Sequence, residues 1–186
     1  MSMACTARSR SLLAAAVAAA ALFSHAPAGA ETPLIKDVLA TYANIAEAAY
    51  GDSLAAARTL KTAVDSLIKS PTAETLEGAR KAWLAARVPY MQTEAYRFGN
   101  PIVDAWESHV NAWPLDEGLI DYVAEAYGSD NPENEFYAAN VIANKTLKVA
   151  GRTIDATKIT PKLIRSLHEA VGVEANVASG YHAVEF

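Results

Sequence analysis

From residue 33 onward, apolar side chains recur three and four positions apart, a period that admits helices and little else. Ile35, Val38, Tyr42, Ile45 and Ala49 form one such series, and Leu54, Ala57, Val64 and Leu67 carry it on to Ser70. Thr32 is placed to cap this segment and Pro33 suits its first helical position. Gly51 either ends the helix, with Asp52 or Ser53 capping a second, or sits inside one long helix at a cost of about 1 kcal/mol. Ser70-Pro71 repeats the cap-then-proline signal. Beyond it Leu76, Ala79, Trp83, Ala86 and Tyr90 share one face, and the same face runs on through Glu94 and Arg97. At 100° per residue, Leu76, Trp83, Tyr90, Glu94 and Arg97 fall within about 60° of arc. The inward stripe of this helix therefore turns from apolar to charged near its end.

After Gly99 the pattern breaks. Pro101 and Pro114 interrupt the segment from Asn100 to Tyr122, which predicts short helical turns between loops. Helical spacing returns over Glu135–Asn144. Residues 147–159 are rich in β-branched side chains about Ala150-Gly151, the pattern of a small hairpin. Thr160-Pro161 opens a further helix with Leu163, Ile164, Leu167 and Val171 inward and Gly172 at its end. A last helix is predicted to start near Glu174. The fold class that follows is all-α, a helical bundle.

The first 30 residues carry a different message. Arg8 and Arg10 precede an apolar run over residues 11–23, and small residues follow at Ala28 and Ala30. This is the three-part pattern of a secretory signal peptide, with cleavage expected after Ala30. The run is too short for a stable span, which needs about 20 apolar residues. The mature chain would then be residues 31–186, in the periplasm or cell envelope, and would not meet the membrane through its own sequence. The single cysteine, Cys5, precedes the apolar run, so the mature chain has no disulfide, no thiolate ligand and no cysteine nucleophile.

From Glu31 there are 14 Lys and Arg against 21 Asp and Glu, a balance of −7 that disfavours nucleic acid. The charge is unevenly spread. Residues 98–144 hold nine acids (Asp104, Glu107, Asp116, Glu117, Asp121, Glu125, Asp130, Glu133 and Glu135) and no Lys or Arg. Such a stretch is either a solvated surface or a surface for cations and basic partners.

Three groups of side chains are candidates for chemistry. His182 and Glu185, in "GYHAVEF", lie three apart and share a helical face, where an imidazole nitrogen and a carboxylate oxygen can take one cation such as zinc or iron. An ordinary hydrogen-bonded pair has the same spacing, and a stable metal site needs three or four ligands. Gly180, nearly one turn earlier, removes a side chain where backbone or ligand can come close. Glu94 and Arg97 can pair at the end of a helix or line a cleft. Asp116 and Glu117 follow Trp113-Pro114 in a loop, where they present two carboxylates or cap the turn before Leu119. His109 is either a ligand or a surface residue, and His168, beside an apolar face, reads as structural. There is no Gly-x-Ser-x-Gly elbow, no Gly-x-Gly-x-x-Gly and no phosphate loop.

"GYHAVEF" resembles the Gly-x-His-x-x-Glu motif of the imelysin family. Residues 86–123 are similar to the family's most recognisable segment, and "EANVASGYHAVEF" to its approach to the motif. The resemblance runs over about residues 33–186. It implies an exported bacterial envelope protein with an all-α fold of two helical halves and the motif between them. It implies a metal site with His182 and Glu185 in the matching positions. Glu94, Arg97, Asp116 and Glu117 fall in matching segments as a possible additional site, with oxygen ligands suited to a hard cation. Family members are about twice as long, so the C-terminal half is expected to be missing from this chain.

The function expected is metal binding, iron favoured and zinc possible, with a role in iron uptake or homeostasis. A metal-dependent peptidase of the insulin-cleaving membrane protease type is the alternative. A metal-free envelope interaction module, meeting a protein partner through its acidic stretch, is the third.

Overall fold

The computed structural model describes residues 34–128, 130–149 and 151–186. The expected signal peptide and the expected Thr32-Pro33 cap lie outside these residues. The chain divides into two units, Met1–Tyr42 and Ala43–Phe186. The described part of the first is the opening of helix α1.

Among the described residues the order is α1 (Ile35–Lys69), α2 (Ala73–Thr93), α3 (Pro101–Asn111), β1 (Thr146–Val149), β2 (Arg152–Asp155), α4 (Pro161–Leu167) and α5 (Tyr181–Glu185), with short 3₁₀ turns between them. The fold is mainly helical, as the periodicity requires. None of these helices is long and apolar enough to cross a membrane.

α1 is one helix through Gly51, and a Cβ added there would touch nothing within 4 Å. Thr72, and not Ser70, caps α2. Its hydroxyl accepts from the Thr75 backbone N–H at 3.2 Å, and the Thr75 hydroxyl accepts from the Thr72 N–H at 2.9 Å. This reciprocal pairing satisfies two of the donors that a helix start leaves open. α2 continues past Pro89, whose missing N–H leaves the Ala85 carbonyl without its helical partner. α3 is a full helix where short turns were expected, because Asn100 accepts from the Val103 N–H and Pro101 occupies the first helical position.

The hairpin forms as predicted, with Leu147 opposite Ile154 and Val149 opposite Arg152. Helix fails to form over residues 135–144. The backbone there turns back onto the preceding segment instead, with Asn140 N–H donating to the Gly118 carbonyl and Val141 N–H to that of Leu119, both at 2.9 Å. Gly118 is required at this crossing, since a Cβ would lie 1.6 Å from the Tyr137 carbonyl oxygen. The last helix starts at Tyr181, seven residues later than predicted, because residues 174–180 form a loop and Gly180 has φ +91°, outside helical range. α4 ends at Leu167, and Val171, predicted inward, is exposed with φ +56°.

Two apolar clusters result among the described residues. The larger joins Leu119, Phe136, Val141, Leu147, Leu163, Leu167 and Ala178, uniting the loops, the hairpin and α4. The smaller joins Leu60 of α1, Ala86 and Tyr90 of α2, Val110 of α3 and Tyr181 of α5. α5 is thus seated on α2 and α3, and this second cluster positions the Gly-x-His-x-x-Glu segment.

Candidate metal centre

α5 is five residues long and cannot hold itself as a helix. Three contacts hold it. Gly180 passes directly over the end of α3, where a Cβ would lie 2.5 Å from the Val110 carbonyl oxygen and 2.6 Å from its carbon. Trp83 of α2 donates its indole N–H to the Tyr181 carbonyl at 2.8 Å. The Tyr181 ring packs edge-on to Trp83 and tilted against Tyr90, with centroids 6.5 and 5.1 Å away. Upstream, the Ser179 hydroxyl donates to the His109 carbonyl at 3.1 Å, and the Ala178 N–H donates to Nδ1 of buried His168 at 3.3 Å. Burial pushes the His168 pKa down, helped by His109, while Glu169 opposes the shift.

With Tyr181 turned inward, His182 and Glu185 emerge on a different side of the turn. The His182 side chain is 17% exposed and tilts against Trp113, ring centroids 4.9 Å apart; that of Glu185 is half exposed. His182 Nδ1 and Glu185 Oε2 are 3.6 Å apart. Two donors of a tetrahedral shell with bonds of about 2.1 Å are separated by about 3.4 Å, so the pair has the spacing and the nitrogen–oxygen chemistry that zinc or iron accepts. The two residues fit as half of a metal shell. Among the described residues no group of three or more His, Cys, Asp or Glu side chains is gathered so as to hold a metal ion, so Glu94, Asp116 and Glu117 do not complete this one.

Those residues have other surroundings. Arg97 makes its ion pairs with Asp104 at 2.9 Å and Glu107 at 3.3 Å, both on α3, and not with Glu94. The Asp104 hydrogen bond, then Glu107, raise the Arg97 pKa further. Asp116 caps the 3₁₀ turn Glu117–Leu119 by accepting from the Gly118 N–H. Its other oxygen accepts from Asn134 at 2.9 Å, and Asn134 also donates to fully buried Asn176 at 2.8 Å. Asp116 thus makes the cap that its sequence position allows. Glu117 is exposed. Part of the acidic stretch is thereby neutralised or tied down within the fold.

Sequence reasoning missed Arg87. At 100° per residue it lies only about 20° from Leu76, on the inward stripe, and that was the signal available. Its guanidinium stands 5.8 Å from the ring centres of Trp83 and Tyr90 and 5.1 Å from that of Tyr181. It donates to the Asn111 side-chain oxygen, and the Asn111 amide donates to Glu107 at 3.4 Å. Burial, with Glu107 and Glu94, drives the Tyr90 phenol upward, so its hydroxyl stays protonated.

A mainly helical chain that presents a seated Gly-x-His-x-x-Glu turn is of the imelysin type. The imelysin profile matches residues 46–186, and the chain belongs to that family. It is similar to Iron-regulated protein A of Synechococcus elongatus, 35% identical over 77 residues, which cover 41% of this chain and 22% of that protein.

Proposed function

We propose that this chain is an exported envelope protein that binds a metal ion through His182 and Glu185, iron in preference to zinc, in the service of iron uptake or homeostasis. The observation that carries the reading is the 3.6 Å separation of an imidazole nitrogen and a carboxylate oxygen on a turn held by Gly180 and Trp83. Membership of the imelysin family and the name of the Synechococcus relative support the choice of iron. The signal-like residues 1–30 support export. A bound ion would supply Lewis acidity. The chain's own part is to present two donors at fixed spacing, with Trp113 packed on the imidazole so that its ring plane is set before the ion arrives.

Calorimetric titration of the metal-free chain with ferrous, ferric and zinc ions tests this. We expect saturable binding that weakens at least tenfold, about 1.4 kcal/mol, in both His182→Ala and Glu185→Gln. Equal affinity in the parent and both variants removes the assignment.

A further inference from the structure

Arg87 and Arg97 lie on the same stretch of α2 and its 3₁₀ extension, and their charges are treated differently. Arg97 is matched by two carboxylates. Among the described residues no carboxylate comes within ion-pairing distance of Arg87. Its polar contacts are the neutral Asn111 oxygen and the Met91 sulfur at 3.5 Å. Yet Arg87 is the more enclosed of the two by rings, with three aromatic faces around it. A partly buried charge with no counter-ion costs free energy, and cation–π attraction offsets only part of it. The nearest acid along its hydrogen bonds, Glu107, is reached through one intervening side chain. Asn111 stands between them, turning its oxygen to Arg87 and its amide to Glu107. This keeps the carboxylate on Arg97 and leaves the Arg87 fork without a negative partner.

We propose that Arg87 is the centre of an anion-binding site on the face of α2 that meets α3 and α5, and that its ligand is a small oxyanion, a carboxylate or a phosphate group. A guanidinium carries five N–H donors in a planar fork, of which Asn111 and Met91 engage two, and such a fork matches two oxygens of one oxyanion. The three rings crowd the guanidinium at 5.1–5.8 Å and restrict its side chain, so less freedom is left to lose on binding. Tyr90, kept protonated, stands beside the site as a neutral hydroxyl and adds no competing charge. The site shares no residue with His182 and Glu185.

The test uses metal-free protein at constant ionic strength, titrated with succinate, inorganic phosphate and chloride, while NMR follows the arginine side-chain Nε–H resonances and, in the parent and the Arg87 variants alike, the indole N–H of neighbouring Trp83. We expect the Arg87 resonance to shift saturably with succinate or phosphate and not with chloride, and the two arms to show which oxyanion is preferred. Arg87→Met should weaken binding at least tenfold. Arg87→Lys, which keeps the charge and loses the fork, should weaken it severalfold, and His182→Ala should leave it unchanged. Shifts with chloride equal to those with succinate and phosphate, or no saturable shift with either oxyanion, overturn the proposal, as does undiminished affinity in Arg87→Lys. Should Arg87→Met not fold, the resonance shifts and the Lys variant decide the matter.

Discussion

Gly180→Ala is the sharpest perturbation of the motif. At φ +91° and ψ −173° the backbone occupies a region that is essentially restricted to glycine, and placing alanine there costs about 1–3 kcal/mol. The new methyl would also lie 2.5 Å from the Val110 oxygen, 2.6 Å from its carbon and 3.1 Å from the His109 oxygen. These are backbone atoms at the end of α3 and cannot rotate away, so relieving the overlap costs about another 1–3 kcal/mol. A total of about 2–6 kcal/mol is a large share of the 5–15 kcal/mol that typically separates folded from unfolded. Urea unfolding followed by far-UV circular dichroism measures it directly as a lower midpoint at unchanged slope. Two internal controls separate the causes. Gly99→Ala, at φ +70° with nothing within 4 Å of the new methyl, measures a positive-φ penalty of about 1 kcal/mol free of any clash. Gly78→Ala, inside α2 in open space, should stabilise by about 0.5–1 kcal/mol. Gly180→Ala falling within 1 kcal/mol of Gly99→Ala would refute the claim that close packing on α3 seats the motif.

Other consequences concern the supports of the site. His168 is held neutral by burial, with His109 adding to the effect and Glu169 and the Ser108 carbonyl pulling the other way. Because its folded pKa lies below 6.5, the unfolded chain takes up the proton first. Its contribution is therefore complete above pH 6.5 and is lost as pH falls from there through the folded value. His168→Gln should flatten the fall in urea midpoint on acidification; an unchanged pH slope would contradict this. Asn134 donates to both Asp116 and Asn176 and accepts from the Phe136 N–H at 3.0 Å. Asn134→Ala should cost about 1–3 kcal/mol by leaving those buried groups unpaired. Asn134→Ala with Asn176→Ala should cost less than the two single variants together, and strict additivity in chemical unfolding would show the network to be uncoupled.

Much of the helical half was legible because three- and four-residue spacing records a helix directly. Periodicity did not record burial: Val38, Tyr42, Ile45 and Leu76 hold their places on the predicted stripes yet remain exposed. Residues 135–144 show why the second half was harder. Their spacing suits a helix, but close approach of Gly118 to the Tyr137 carbonyl and the Asn134 side-chain bonds reward a turn that pairs with residues 118–119. Those partners lie far enough apart in sequence that no local window shows them. The late start of α5 has the same origin, a glycine whose conformation is set by contact with α3. In the site, the His182–Glu185 pairing was readable from spacing alone. The true partners of Arg97 were not, because Asp104 and Glu107 become neighbours only when α3 folds back. Arg87 was legible in principle, as a cation on an apolar stripe.

Anomalous scattering from crystals of the protein grown with iron or zinc tests the metal assignment most directly. A single strong peak is expected within about 2.0–2.3 Å of both His182 Nδ1 and Glu185 Oε2, lost in crystals of His182→Ala. Well-ordered crystals with the two side chains in hydrogen-bond contact, and the metal absent or bound elsewhere, would contradict it.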